Sequence, residues 1–231
     1  SGALWTMSSA INNTADVTNK QIFYYRAENE GMINGDRWLP TGIGMMKYVN
    51  PKDNATGNGG KIFPKAGITI RYADNLLMYA EAHKELGGTY DIPTWDGSST
   101  HALPRNISEM KKALGQIRIR GGVPDHDLSV YGAKEELRKK IKRERQIELL
   151  GENQRYFDLR RWKDAPVDEA EQIYGYNVFM TKDRAADFYT PVRVPLLQTT
   201  FSRKMYFWPI DWDELQKNKR MTQAPGWPSF D

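Results

Sequence analysis

The chain has 231 residues, of which 39% are hydrophobic, enough to bury a core of its own. Its 33 basic and 29 acidic side chains leave a net charge of +4, too small a surplus to indicate a nucleic-acid or anionic-membrane partner. The lack of cysteine excludes thiol nucleophiles, thiolate metal sites and disulfide bonds, and no apolar run reaches the roughly 18 residues of a membrane-spanning helix.

The first part of the chain, residues 1–69, is rich in Asn, Gly and Thr around scattered aromatic residues. Turn signals at Asn34-Gly35 and at residues 57–60 predict loops with a few short strands. Apolar runs at residues 22–25 and 45–49 have the length of a strand. Periodicity cannot distinguish a short strand from an irregular buried segment, so both readings stay open there.

Helical spacing begins at residue 70 and predicts two helices with a long loop between them. The first helix carries apolar residues at helical intervals and stops at Gly87-Gly88. The second begins at Asn106, which can cap it while Glu109 returns the hydrogen bond, and it ends at Gly121-Gly122. The loop at residues 89–105 holds Trp95 and is interpreted as an insertion between two paired helices.

A third helix is predicted at residues 133–150, with an apolar stripe formed by Leu137, Ile141, Ile147 and Leu150. A fourth, shorter helix follows at residues 154–163. The many prolines and aromatic residues beyond it predict an irregular segment, residues 166–231, wrapped over the helix-pair scaffold of residues 70–165. One domain overall is expected, with a mainly α fold.

The sequence contains no complete catalytic or metal-binding pattern. His83, His101 and His126 have no second histidine or cysteine at ligand spacing, so no metal site is predicted. The phosphate-loop, dinucleotide-binding and Gly-x-Ser-x-Gly patterns all fail, and no cofactor is expected. Glu144 and Glu148 lie one turn apart among arginines, an arrangement more typical of a salt-bridged structural face than of a carboxylate pair for catalysis.

Four sequence blocks, in order, resemble the RagB/SusD family. The first is RYADNLLMYAEA at 71–82, followed by ELG at 85–87. The second consists of AL at 113–114, IR at 117–118 and RGGVP at 120–124. The third consists of Leu137 and Ile141, RER at 143–145, IEL at 147–149 and RYFDLRRW at 155–162. The fourth is FWPI at 207–210 with TQ at 222–223 and PGW at 225–227. Gln116 stands where the family's second block usually has Asn. The resemblance covers roughly two thirds of the chain, and the order of the blocks makes it specific.

The resemblance implies a fold of tetratricopeptide-like helix pairs, an α-α superhelix with long irregular loops and a few short strands. It implies a nutrient-binding lipoprotein exposed on the cell outer membrane, not an enzyme. The expected partners are an oligosaccharide or polysaccharide ligand and a TonB-dependent transporter of the SusC type. Family members are much longer chains with a lipidated N-terminal cysteine, so the missing N-terminal part of the same protein, with its lipid anchor, is a further expected partner.

Sugar binding without chemistry relies on aromatic faces that stack on pyranose rings, beside amides and charged groups that bond the hydroxyls. The family's ligand surface draws on loops ahead of the first signature helix. The candidate ligand-binding residues are therefore the loop aromatic residues and the polar neighbours of Trp38: Trp5, Tyr24, Tyr25, Asn34, Asp36, Arg37, Trp38 and Trp95. Trp162, Trp208, Trp212 and Trp227 lie inside the family blocks, which favours core packing for them.

Other functions stay open at this point. Loop aromatic residues are often buried in compact domains, so Trp5 and Trp38 could equally hold loops onto the scaffold. The same scaffold could capture a peptide instead of a glycan. A glycoside hydrolase and a helical-repeat adaptor for another protein are the remaining alternatives.

Overall fold

The computed structural model describes residues 6–7, 20–21, 24–28, 31–32, 38–45, 47–48, 50, 53 and 60–228. The chain divides into two compact units. The helical unit is Gly67–Asp158, and the aromatic unit combines Ser1–Ala66 with Leu159–Asp231. Within the described residues no helix is long and apolar enough to cross a membrane.

The helical unit contains four helices and a hairpin, and a fifth helix starts at its end. Its elements in chain order are α1 (Tyr72–Glu85), β3 (Tyr90–Pro93), β4 (Thr100–Leu103), α2 (Ile107–Arg120), α3 (Leu128–Gly132), α4 (Lys134–Glu148) and α5 (Gln154–Trp162). Two strands of the aromatic unit come earlier in the chain, β1 (Thr6–Met7) and β2 (Lys20–Gln21). Strands β1 and β2 pair antiparallel, as do β3 and β4. The described part of the chain is mainly helical, as the sequence predicts.

The aromatic unit has shorter elements. After α5 come α6 (Ala165–Asp168), β5 (Tyr174–Gly175), a 3₁₀ turn (Lys182–Arg184), α7 (Ala185–Phe188), β6 (Val192–Arg193), a second 3₁₀ turn (Arg203–Tyr206) and α8 (Trp212–Lys217). Strands β5 and β6 form a two-residue antiparallel ladder. At the two apolar runs considered as strands, described residues 24–25, 45 and 47–48 adopt no strand conformation.

The core of the helical unit lies where α1 packs against α2 and α4. Side chains at helical spacing on all three helices point into it and are at most 3% exposed: Leu77, Ala80, Met110, Ala113, Leu114, Ile117, Leu137 and Ile141, with Tyr131 and Leu149 from the flanking segments. The start of α2 is the predicted one, since the Asn106 side chain accepts a hydrogen bond from the Glu109 N–H at 3.2 Å. The Glu109 carboxylate, however, bonds Lys112 at 2.7 Å.

The apolar stripe predicted for α4 is wrong at its C-terminal end. Ile147 and Leu150 are 55% and 58% exposed, whereas Arg145 and Glu144 are only 3% and 8% exposed. The reason is that the last two turns of α4 present charged groups, not apolar ones, to their neighbours. Hydrophobic periodicity cannot detect a buried face that is held by ion pairs.

Arg145 is the centre of this buried ionic contact. Its Nε donates to Asp158 Oδ2 at 2.7 Å, and its Nη1 donates to Asp74 Oδ1 at 2.9 Å. Asp74 is on α1 and Asp158 on α5, and each is at most 6% exposed. One guanidinium therefore joins three helices, and each of the two buried carboxylates accepts a charge-assisted hydrogen bond from it.

Glu144 and Glu148 belong to the same charged face, and both are salt-bridged as the sequence predicts. Glu144 accepts a hydrogen bond from Arg118 of α2 at 2.7 Å, and Glu148 accepts one from Arg71 at 2.5 Å. Arg120 also pairs with Glu148. Both glutamates are thus paired with arginines on other segments.

Asp125 links α2 to the segment that follows it. Its carboxylate accepts hydrogen bonds from Lys111 at 2.7 Å, from the Tyr131 hydroxyl at 2.6 Å and from the His126 N–H at 2.8 Å. Burial works to raise the pKa of Asp125, but these three donors outweigh it and lower the pKa. A Cβ at Gly115 of α2 would lie 3.0 Å from the same carboxylate, so glycine makes this close approach possible.

Candidate ligand-binding site

An aromatic cluster forms the core of the aromatic unit and includes three of the predicted site residues. Tyr25, Val178 and Phe188 are at most 7% exposed, and five partly buried residues pack against them: Tyr24, Trp38, Tyr176, Met180 and Ala185. The fold thus brings together Tyr24, Tyr25 and Trp38, which the sequence places in one segment, with aromatic residues roughly 140–165 positions further on.

Rings contact one another throughout this aromatic cluster. The Tyr25 and Phe188 rings lie 4.5 Å apart between centroids, and Tyr176 lies 5.4 Å from Phe188. The Tyr25 hydroxyl donates to the Tyr189 hydroxyl at 3.4 Å. This hydrogen bond, together with burial, raises the pKa of Tyr25 to about 12. Tyr25 is therefore an interior residue that supports the cluster from within.

The exposed rim of the cluster consists of Trp38, Phe179 and Tyr189. Trp38 is half-buried and meets Phe179 edge to face, with the ring centroids 5.7 Å apart. Phe179 and Tyr189 are 50% and 47% exposed. Each of these rings contacts another ring and is also partly exposed, so each can offer aromatic surface to a ligand.

Backbone contacts hold the two distant segments of the cluster together. The Tyr176 N–H donates to Thr41 O at 2.9 Å, and the Arg26 N–H donates to Met180 O at 2.9 Å. Gly175 makes the first contact possible, because a Cβ there would lie 2.5 Å from the Thr41 Cα. The rim is thereby positioned by main-chain bonds and not by ring packing alone.

Two charged residues precede Tyr189 on the same segment of the chain. Arg184 and Asp187 form an exposed ion pair with 2.5 Å between Nη2 and Oδ2. Such charged side chains next to exposed rings are the groups that bond ligand hydroxyls in binding sites that carry out no reaction.

Trp95 is at the tip of the β3–β4 hairpin, in the helical unit. Its side chain is 99% exposed. Hydrogen bonds fix the turn around it: the Thr94 N–H donates to Ser99 O at 2.9 Å, and Asp96 Oδ1 accepts from the Thr94 hydroxyl at 2.6 Å and from the Ser98 N–H at 3.1 Å. These bonds lower the pKa of Asp96 to about 2, so the carboxylate beside the indole is charged at neutral pH.

The other predicted site residues, Trp5, Asn34, Asp36 and Arg37, lie outside the described residues. Three of them immediately precede Trp38 in the chain. Among the residues that the structure does describe, no group of three or more His, Asp or Glu side chains could hold a metal ion.

Sequence reasoning missed the C-terminal contribution to the aromatic cluster. Tyr176, Phe179, Phe188 and Tyr189 fall in a segment without helical or strand periodicity, and only their density between residues 174 and 189 marks them. The core packing predicted for all four family-block tryptophans is wrong for two of them. Trp208 and Trp212 are 74% and 44% exposed.

Solved structures resemble this fold. The structure of BT4246 is 27% identical with a TM-score of 0.63, and its selenomethionine form is 25% identical with a TM-score of 0.61. The matches cover 83% of this chain but 29% and 30% of those chains. A SusD-like protein (BF3747) from Bacteroides fragilis is 27% identical, with a TM-score of 0.49 over 70% of this chain and 26% of that one.

The chain thus spans less than a third of the length of the solved structures that it matches. A search of curated proteins finds none that matches it significantly. The model of the SusD family matches residues 2–227, almost the whole length of the chain. This chain belongs to the SusD family.

Proposed function

We propose that this chain is part of a surface-exposed outer-membrane lipoprotein that captures oligosaccharides and delivers them to a TonB-dependent transporter of the SusC type. Family membership supports a nutrient-binding role without catalysis. The observation that carries the glycan assignment is the partly exposed rim of the aromatic cluster, where Trp38 contacts Phe179 and where Tyr189 packs on Phe188.

The rim suits a pyranose ring for two physical reasons. A sugar ring has an apolar face whose C–H groups pack on an aromatic surface, and its hydroxyls need polar partners around that surface. Trp38 and Phe179 supply the aromatic surface, and the Arg184–Asp187 pair supplies charged groups on the same segment. The polar residues that precede Trp38 in the chain, Asn34, Asp36 and Arg37, complete the proposed site.

Trp95 is the second candidate contact in this proposal. Its exposed indole and the charged Asp96 carboxylate stand side by side on a turn that several hydrogen bonds hold in place. A rigid turn loses little conformational entropy when a ligand binds, which favours affinity even for one aromatic contact.

Calorimetric titration with a panel of soluble polysaccharides, their oligosaccharides and peptides tests the proposal. Trp38→Ala and Phe179→Ala should each weaken binding of the cognate oligosaccharide at least about tenfold, since each removes one aromatic ring of the rim. Tyr72→Ala is the matched control, because Tyr72 is an aromatic residue of the helical unit that is 69% exposed. Unchanged melting temperatures would separate lost contacts from lost structure.

The alternatives are decided by the same mixtures. Tight binding of peptides and not of glycans would identify a peptide-capture protein, and released sugars would identify a hydrolase. Unchanged affinity in both variants would show that the ligand does not bind at this rim. The proposed delivery step predicts that the full-length protein co-purifies with a TonB-dependent transporter from outer-membrane extracts. Purification of the full-length protein without such a transporter would contradict that step.

A further inference from the structure

The C-terminal segment of the aromatic unit contains a second aromatic groove, separate from the rim around Trp38. Its volume is about 330 Å³. It is lined by tryptophan, proline and aliphatic side chains with one amide and one ammonium group: Lys204, Pro209, Ile210, Trp212, Leu215, Gln223, Trp227 and Pro228. This volume is at the lower end of the range for small-ligand sites, which is roughly 300–1,000 Å³.

Hydrogen bonds hold the walls of this groove in place. The Trp227 indole Nε1 donates to Lys204 O at 3.1 Å and to Phe207 O at 3.0 Å. The Gln223 amide bonds both backbone groups of Ile210, accepting from the N–H at 2.8 Å and donating to the carbonyl at 3.0 Å. The indole N–H and the amide are therefore engaged within the protein, and the groove is formed before any ligand arrives.

Lys204 supplies the charged group of the groove. Its ammonium lies 4.5 Å from the centroid of the Trp227 ring, and the residue is partly buried. Among the described residues no carboxylate forms an ion pair with it, whereas Lys217 on nearby α8 pairs with Glu214 at 2.6 Å. A partly buried cation beside apolar walls favours an anionic partner, because a charge with reduced access to water is stabilised when it is paired.

We propose that this groove binds an acidic sugar, a pyranose ring that carries a carboxylate. The apolar face of the ring packs against Trp212, and the carboxylate accepts a hydrogen bond from the Lys204 ammonium. A neutral sugar obtains little from the groove, because Trp227 and Gln223 already use their polar groups internally. The small volume favours one or two sugar rings over a folded protein partner.

The proposal rests on the proposed function in one respect, that the natural ligand is a glycan. It involves residues that take no part in the rim around Trp38. Glycans that contain uronic acids are thereby the substrate class that the chain should prefer over neutral glycans of equal length.

Titration of the full chain with trigalacturonate and with its methyl ester tests the carboxylate contact directly. The ester keeps the shape of the sugar and removes its charge. Wild-type protein should bind the acid roughly tenfold more tightly than the ester, the effect of about one charge-assisted hydrogen bond. Lys204→Gln should remove this preference, and Trp212→Ala should weaken the binding of both ligands.

Lys219→Gln is the matched control, since Lys219 is an exposed lysine in the same segment that does not line the groove. Melting temperatures of all variants should stay close to that of the wild type. Equal affinity for acid and ester, an unchanged preference in Lys204→Gln, or no binding of trigalacturonate at millimolar concentration would each overturn the proposal. Tighter binding of the peptide acetyl-Phe-Asp-amide than of trigalacturonate would also overturn it, in favour of an acidic peptide.

The variant Trp38→Ala separates this proposal from the proposed function. A preference for acid over ester that persists in Trp38→Ala supports the groove even if neutral glycans bind nowhere on the protein. Loss of the preference in Trp38→Ala with the fold intact would assign acid binding to the rim and overturn the assignment to the groove.

Discussion

The two units of this chain are stabilised by different means. The helical unit has an apolar core and a buried arginine that bonds two aspartates on other helices. The aromatic unit has few regular elements, and ring contacts and isolated main-chain bonds hold its distant segments together. Because buried ion pairs depend on their geometry, the stability of the helical unit should be sensitive to the substitution of single charged residues. The aromatic unit is stabilised by many contacts that are individually weak.

The largest expected effect is at Arg145. Arg145→Ala leaves Asp74 and Asp158 buried without their cation, which should lower the free energy of unfolding by about 3–5 kcal/mol. Denaturant titration measures the loss, and hydrogen exchange should locate it in α1 and α4. Arg143→Ala, next but one on the same helix and exposed, should change stability by less than about 0.5 kcal/mol. A loss of stability in Arg145→Ala as small as that in Arg143→Ala would show that the buried contact contributes nothing.

Gly115 provides a second test of how sensitive the stability of the helical unit is to a single substitution. Alanine in a helix interior ordinarily gains about 1 kcal/mol over glycine. Here the added Cβ would meet the Asp125 carboxylate at 3.0 Å and displace it from Lys111 and Tyr131, so Gly115→Ala should instead lose about 1–2 kcal/mol. Gly132→Ala, with nothing within 4 Å of its Cβ, should be neutral or slightly stabilising in thermal unfolding. A stabilised Gly115→Ala would contradict the predicted close contact.

Glu85 should make the helical unit sensitive to acid. Its hydrogen bond with Arg138, opposed by burial and aided by Lys84, lowers its pKa from the ordinary 4.5 to about 2. Because the folded pKa lies below the unfolded one, this stabilisation is complete above pH 4.5 and is lost as pH falls through 2. The side chain is 43% exposed, so solvent screening limits the contribution to about 1 kcal/mol.

The variant Glu85→Gln measures this contribution. The difference in unfolding free energy between wild type and Glu85→Gln should be about 1 kcal/mol at pH 6 and should shrink steadily toward pH 2. Glu136→Gln, whose ion pair with Lys140 is longer at 3.4 Å, should show a difference of no more than about 0.5 kcal/mol at any pH. A pH-independent difference for Glu85→Gln would refute the linkage.

The smallest expected effect is in the aromatic unit, at Tyr25. Tyr25→Phe keeps the ring contact with Phe188 and removes the long hydrogen bond to Tyr189, so stability should fall by about 0.5 kcal/mol. The same variant should remove the high tyrosine pKa of about 12 from a spectrophotometric titration. A loss above about 2 kcal/mol would mean that the polar contact, and not ring packing, holds the cluster together.

Local signals explain which parts of the fold are predictable from the sequence. The Asn106 cap and the glycine stops act within one helical turn, and the bounds of α1, α2 and α5 fall close to the predicted ones. The end of α4 does not follow its apolar pattern, because Arg145 and Glu144 find their partners on other segments. A buried ion pair has no periodic signature in a sequence.

The candidate site is less predictable from the sequence than the helices, because its residues lie far apart along the chain. The sequence singles out Trp38 and Tyr25 as loop aromatic residues but contains no sign that Phe179 and Phe188 would meet them. The exposed Trp208 and Trp212 show a further limit. A family block indicates that a residue is fixed in place, and a residue can be fixed at the surface as well as in the core.

The β3–β4 hairpin has a consequence for how proteins with this fold can diversify. Helices α1 and α2 pack directly on each other on either side of the hairpin, and every residue of β3 is exposed. Insertions and replacements in such a segment disturb few buried contacts, and exposed loop tips tolerate them best. Replacing the residues around Trp95 therefore changes what the turn displays to the solvent at little cost in folding. Selection or laboratory evolution can vary this turn freely while the helix pair beneath it stays the same.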